Sequence, residues 1–281
     1  MRLPDFLRKK DPKRKNILKI RQLIDDPCLH TVCEEAKCPN IGECYSQATC
    51  TFMILGNICT RNCAFCGVTS GKPGPIDPGE PARVAAAVNK LNLSYVVITS
   101  VTRDDLPDGG ASHFADTINE LRITNYGLRI EILIPDFQGN ESALNMVLAA
   151  KPHVLNHNIE TVPRLYPLIR PQANYRRSLN LLRSAKRIKS DIYSKSGFMV
   201  GLGETEEEVI TTLNDLKEAG CDIVTIGQYL PPSRLHLKPE RYVPPETFAS
   251  WQALGEQMGF SRVEAGPFVR SSYHAGDLVK K

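Results

Sequence analysis

Two cysteine runs carry chemistry by their spacing. CTRNCAFC places Cys59, Cys63 and Cys66 at C-x3-C-x2-C, and CEEAKCPNIGEC places Cys33, Cys38 and Cys44 at C-x4-C-x5-C. Each run offers three thiolates, one short of the four that a structural zinc ion or an iron–sulfur cluster ordinarily takes. The chain holds nine cysteines, eight of them between residues 28 and 66. An odd number crowded into one segment points to metal rather than to a disulfide scaffold. Three thiolates on a four-iron cube leave one iron open to a small molecule. Zinc remains the alternative, with Cys28, His30, Cys50 or a distant residue completing a set.

Something must aim these thiols. TFMILGNI (51–58) reads as a buried strand directly before CTRNCAFC, and YVVITS (95–100) is a second, rich in β-branched residues. IEILIPDF (130–137), VLNHNIE (154–160), YSKSGFMVGL (193–202) and IVTIGQYL (223–230) continue the series. Helical spacing fills the intervals at 80–91, 112–122, 140–150, 175–189 and 205–219. The last begins with acidic residues and ends on Lys217 and Gly220, as a helix prefers. Repeated strand–helix alternation gives an α/β fold with a parallel sheet. Polar residues gather at the C-terminal ends of nearly every strand. That favours a partial (β/α)6 TIM-like barrel over a doubly wound sheet, which would concentrate them at one switch point.

The bulk numbers narrow the class. A chain of 281 residues, 42% hydrophobic, is an ordinary globular size and composition. No apolar run reaches the roughly 18 residues of a membrane helix. MRLPDFLRKKDPKRK has no apolar segment and no small-residue cleavage site, so a cytoplasmic location with reduced thiols is the expectation. The net charge of +4 owes much to Lys9, Lys10, Lys13, Arg14, Lys15, Lys19 and Arg21. These read as a solvated basic face or as a docking surface for an acidic protein. The patch lacks interleaved aromatics to stack bases, so nucleic acid is not expected as a partner, and without a long apolar run neither is a membrane.

C-x3-C-x-aromatic-C after a strand, with Phe65 before the last cysteine, resembles the radical S-adenosylmethionine superfamily. With CEEAKCPNIGEC added, the chain resembles the lipoyl synthase family. Further segments look like that family in its order: YVVITSVTRDDLPDGGASHF, IEILIPDFQG, LNHNIETVPRLY, KSGFMVGLGET, GQYLPPS and GPFVRSSYHAG. The likeness runs from about residue 28 to residue 276. HLKPERYVPPETF departs from it, being more basic and proline-broken than the family pattern.

The resemblance implies two [4Fe-4S] clusters. Cys59, Cys63 and Cys66 would hold one, whose open iron takes S-adenosylmethionine. Cys33, Cys38 and Cys44 would hold an auxiliary one, with Ser272 of the RSSY motif (Arg270 to Tyr273) as its fourth ligand. It further implies radical insertion of two sulfur atoms, drawn from the auxiliary cluster, at C6 and C8 of a protein-bound octanoyl-lysine. Two S-adenosylmethionine molecules would be used, with no catalytic side chain beyond the cluster ligands. Candidate cofactor contacts are Asp104 in TSVTRDD, Asn156 and Glu160 in NHNIET, and Ser196 in KSG; GLGET (201–205) would let backbone approach adenine. His157 is expected to be packed or hydrogen-bonded.

The expected organisation is a basic extension with the auxiliary cysteines (1–50), the barrel (51–235), and a segment closing the barrel mouth with RSSY (236–281). The implied partners are an octanoylated lipoyl-carrier protein domain, an electron donor such as ferredoxin or flavodoxin, and an iron–sulfur carrier that repairs the auxiliary cluster. Two rivals within the superfamily fit less well. A biotin synthase would lack the N-terminal triad and the RSSY tail, and a methylthiotransferase would carry further domains. A non-catalytic zinc module is the third alternative.

Overall fold

The computed structural model describes residues 3–8, 18, 20–22, 29–47 and 50–278. Cys28 and the basic residues from Lys9 to Lys19 lie outside them, so the docking reading of that cluster does too. The chain enters through a two-residue strand β1 (His30–Thr31) and two short helices, α1 (Val32–Glu35) and α2 (Ile41–Ser46). Strand β2 (Thr51–Ile54) then begins the parallel series, wholly buried. A small pair, β3 (Ile58–Cys59) and β4 (Thr69–Ser70), brackets the CTRNCAFC loop.

Alternation follows as the periodicity demands: α3 (Glu80–Lys90), β5 (Tyr95–Ser100), α4 (Ala111–Thr124), β6 (Arg129–Leu133), α5 (Glu141–Ala149) and β7 (Val154–Asn156). After the short α6 (Tyr166–Ile169) come α7 (Tyr175–Ile188), β8 (Tyr193–Val200), α8 (Glu206–Glu218) and β9 (Ile223–Gln228). Side chains fix where the helices start. Asn140 caps α5 through Ala143 N, and Asn174 caps α7 through Arg177 N. Thr205 and Glu208 form a reciprocal capping box on α8. The expected helix at 205–219 therefore starts one residue later, with Thr205 outside it as the cap.

Eight strands form one sheet in the order β1-β2-β5-β6-β7-β8-β9-β10, where β10 is Arg262–Gly266. All neighbours pair in parallel except β1, which runs antiparallel to β2. The six expected strands are present. Two more join them: β1 from the cysteine-rich extension, and β10, which follows α9 (Pro245–Gln257). RVEAG carries little apolar signal, which hides it in sequence; its pairing with β9, Val263 to Val224, builds it.

β1 and β10 do not pair with each other, so the barrel is open on one side. An open side exposes unpaired strand edges and must be covered. The C-terminal tail crosses it. Asn40 Nδ2 donates to Phe268 O at 2.7 Å, and Tyr273 OH donates to Glu43 at 2.6 Å. Helix α10 (Ala275–Leu278) then brings Gly276 against Tyr95. The tail's backbone passes so close over β9 that a Cβ on Gly227 would lie 2.2 Å from Val269 O. Glycine there is a condition of closure.

Candidate active site and metal centres

A cavity of about 320 Å3 opens at the C-terminal ends of the strands. Cys33 and Cys38 line one part of its wall, and Cys59, Cys63 and Cys66 another. Ser271 and Ser272 enter from the tail. Cys44 is half-buried behind the wall, packed against the core. All eight described cysteines are free. Their electrostatics sort them into the two runs read from sequence: Cys33 feels Cys38 and Cys44, and Cys66 feels Cys63 and Cys59. Burial pushes the thiols of Cys33 and Cys66 up to about 12 and raises that of Cys63. Thiols so desolvated stay protonated until a cation compensates them.

The donor set fits iron–sulfur clusters better than zinc. Structural zinc draws four ligands to within about 2.3 Å of one point. Among the described residues, no three Cys, His, Asp or Glu side chains converge in that way. Five of the six thiols instead line one shared cavity, with Cys44 behind its wall. Cys50 approaches Cys33 and Cys44 but is buried in the core, off the chamber wall. Cys221 is likewise a core side chain, its thiol donating to Ile223 O.

The CTRNCAFC loop is held by an ionic network that sequence reading missed. Arg61, between the first two cysteines, is buried. Its guanidinium donates to Asp104 at 2.6 and 2.9 Å and to Asp136 at 2.5 Å. Asp136 is fully buried and also accepts from Arg177 at 3.2 Å. Burial alone would raise the Asp136 carboxyl, but Arg61 outweighs it and holds it at about 2. Two backbone bonds and one from a side chain complete the clamp: Thr60 N to Thr102 O, Ala64 N to Ile169 O, and the His236 ring Nε2 to Cys66 O, each at 3.0 Å. The amides of Arg61 and Thr102 donate to Cys59 Sγ at 3.4 and 3.3 Å. The only sequence signal for Arg61 is a charge inside the C-x3-C spacing.

Three of the four expected cofactor contacts lie elsewhere. Asp104 is engaged by Arg61, so it positions the loop and does not line the cavity. Asn156 lies beneath the chamber, where its amide donates to Glu131 at 3.0 Å. Glu131 also accepts from Lys195 Nζ at 2.9 Å and from Tyr95 OH at 2.6 Å, in a floor where Lys195 and Glu131 are fully buried. Ser196 is buried too; by strand alternation it faces away from Lys195 and Gly197, and it does not line the cavity.

Glu160 does line the cavity, but not through a shared strand face with Asn156. β7 ends at Asn156, and Glu160 adopts φ +65°. Burial raises its carboxyl, with Arg170 opposing. Asn158, which was not expected, donates to Glu160 at 3.1 Å and to Ser271 Oγ at 3.2 Å, and lines the cavity beside it. GLGET closes on itself, since Gly201 N and Leu202 N donate to Glu204, and it stays off the cavity wall. His157 is buried and bonded to Ile134 O and Ser178 Oγ.

A partial barrel of parallel strands, with a three-cysteine loop after the first of them, defines a class. Residues 53–216 match the model of the Radical SAM superfamily. Methylornithine synthase, a solved structure, shares the fold: TM-score 0.57 at 16% identity, over 75% of this chain and 62% of that one. Sequence relatives narrow the class. The lipoyl synthase of Rubrobacter xylanophilus is 56% identical, covering 99% of this chain and 86% of its own. That of Caldanaerobacter subterraneus is 56% identical, covering 92% and 90%. The chain belongs to the lipoyl synthase family of radical SAM proteins. Membership implies a [4Fe-4S] cluster and S-adenosylmethionine.

Proposed function

We propose that the chain inserts two sulfur atoms at C6 and C8 of an octanoyl chain carried as an amide on a carrier-protein lysine. The observation that supports this most is the lining of one chamber by Cys59, Cys63 and Cys66, by Cys33 and Cys38 of the other triad, and by a tail serine, with Cys44 directly behind its wall. In this reading Cys59, Cys63 and Cys66 hold the first cluster. Cys33, Cys38, Cys44 and Ser272 hold the second, whose sulfide is the sulfur source. Bound at the first triad, the cluster with S-adenosylmethionine supplies hydrogen abstraction from unactivated carbon, which no side chain can perform.

The chain's own residues position and exclude. Met53, Ile134, Phe198, Met199, Leu230 and Val269 line the same chamber and offer an alkyl chain an apolar bed. Glu160 and Asn158 present polar atoms suited to ribose hydroxyls. Ser271 is hydrogen-bonded to Asn158, whereas the Ser272 hydroxyl has no side-chain partner among the described residues, which leaves it free to ligate. A serine oxygen is a harder ligand than thiolate and suits a bond that must open.

The proposal extends to organisation and context. Residues 1–50 serve as the auxiliary-cluster segment, 51–235 as the radical barrel and 236–281 as its closure. Free thiols suit a reducing compartment such as the cytoplasm. No helix among the described residues is long and apolar enough to cross a membrane. The partners are an octanoylated carrier domain, a one-electron donor such as ferredoxin or flavodoxin, and a cluster-repair protein.

The test is anaerobic turnover of the reconstituted protein on an octanoyl-lysyl peptide, with S-adenosylmethionine and dithionite, read by mass spectrometry. A product gaining two sulfur atoms is expected. Cleavage of S-adenosylmethionine with no sulfur transferred to the peptide would overturn the reading.

A further inference from the structure

A second cavity, of about 730 Å3, lies between α5 and α7 and shares no lining residue with the thiol chamber. Its wall carries Arg176, Arg177, Arg183 and Arg187 against only two carboxylates, Asp136 and Glu141. Both carboxylates are already engaged: Glu141 pairs with Arg187 at 2.6 Å, and Asp136 is held by Arg61 and Arg177. Arg176 and Arg183 have no carboxylate partner among the described residues and are exposed. The groove is therefore a fixed patch of unneutralised positive charge, and arginine forks recognise carboxylates well.

Its position matters as much as its charge. Asp136 belongs to both sides: it lines the groove, and it anchors Arg61 inside the C-x3-C spacing of the first triad. The path from groove to triad is Arg177, Asp136, Arg61, all packed and hydrogen-bonded. An electron crosses packed protein, whereas an acyl chain needs an open passage, and no lining residue joins the two cavities. A carrier delivering an octanoyl arm must engage the mouth of the thiol chamber. A protein delivering only electrons gains from docking at the groove.

We propose that the α5–α7 groove is the docking site of an acidic one-electron carrier protein that reduces the cluster at Cys59, Cys63 and Cys66. This rests on the function proposed above. The step is one electron from the reduced carrier to the oxidised cluster, with no atom transferred. Positive charge at the groove raises the encounter rate, so the effect is strongest at low ionic strength.

The test compares wild type with the double variant Arg176→Glu/Arg183→Glu, which leaves every proposed cluster ligand and the Arg61 anchor untouched. Both are assayed anaerobically with reduced flavodoxin and with dithionite as donor, and flavodoxin binding is measured separately by calorimetry. The expected result is a loss of roughly tenfold or more in flavodoxin-driven S-adenosylmethionine cleavage at low salt. It is accompanied by weakened flavodoxin binding and unchanged dithionite-driven turnover. Equal flavodoxin-driven rates in the two proteins would overturn the proposal. So would a raised KM for the octanoylated carrier under dithionite, which would assign the groove to the carrier. If wild type binds flavodoxin through these arginines but transfers no sulfur with either donor, the docking site stands and the sulfur-insertion reading falls.

Discussion

The two thiol triads are held in opposite ways. Cys59, Cys63 and Cys66 sit on a loop whose centre, Arg61, is locked to Asp104 and Asp136 and whose ends are bonded to β5 and α6 neighbours. Cys33 and Cys44 sit on short one- and two-turn helices at the open edge of the sheet, and Cys38 on the turn between them. Their support comes from the far end of the chain, through Asn40 to Phe268 and Glu43 to Tyr273. Buried ionic anchoring suits a cofactor that must return unchanged after each cycle. Support by a tail over an open edge suits a cluster that is opened and rebuilt. Under the proposed function, the contrast fits permanence at one site and turnover at the other.

The largest effects should separate the two sites completely. Cys63→Ala should abolish S-adenosylmethionine cleavage, and Cys38→Ala should retain cleavage but lose sulfur insertion. In each variant, reconstituted iron should fall from about eight to about four per chain. Loss of both activities in Cys38→Ala would erase the distinction. Next in size is the anchor. Arg61→Leu leaves Asp136 buried with Arg177 as its remaining cation, and breaking such a pair costs about 3–5 kcal/mol. A fall in Tm of roughly 10 °C is the expected reading by calorimetry; an unchanged Tm would mean the network does not carry the loop.

A smaller effect follows from pH. Burial, then the charge of Arg170, pushes His157 down to about 4 from an ordinary 6.5. The unfolded chain therefore binds the extra proton between those values. Stability is fully present above 6.5 and falls as pH drops towards 4. At pH 5 the loss should be about 2 kcal/mol relative to pH 7.5, read from urea midpoints, and His157→Gln should flatten the dependence. A His157→Gln profile as steep as wild type would place the titrating group elsewhere. The smallest effect tests the edge site. Asn40→Ala removes a buried donor at a cost of about 1–2 kcal/mol. A chelator should then strip the second triad's iron faster while the first triad's iron is unaffected; equal acceleration at both would contradict separate support.

What could be read in the sequence was local. The cysteine spacings, the six apolar strands and the acidic start and basic end of the helix expected at 205–219 each depend on neighbours a few residues away. What could not be read depends on distance. Arg61 meets partners 43 and 75 residues along the chain, and no spacing rule pairs them. Strand alternation alone would put Asn156 and Glu160 on one face, but the strand stops at Asn156 and a positive φ redirects Glu160. Ser196 is a candidate contact only through the resemblance carried by KSG, and it falls on the opposite side of β8 from Lys195, which is committed to Glu131. β10 owes its existence to β9 rather than to RVEAG itself.

The most direct measurement is iron and acid-labile sulfide per chain, before and after a single anaerobic turnover on an octanoyl-lysyl peptide. The unequal support of the triads predicts about eight irons and eight sulfides before, and about four of each afterwards, with one product per chain. Eight irons persisting through several products would contradict it, because both sites would then be permanent.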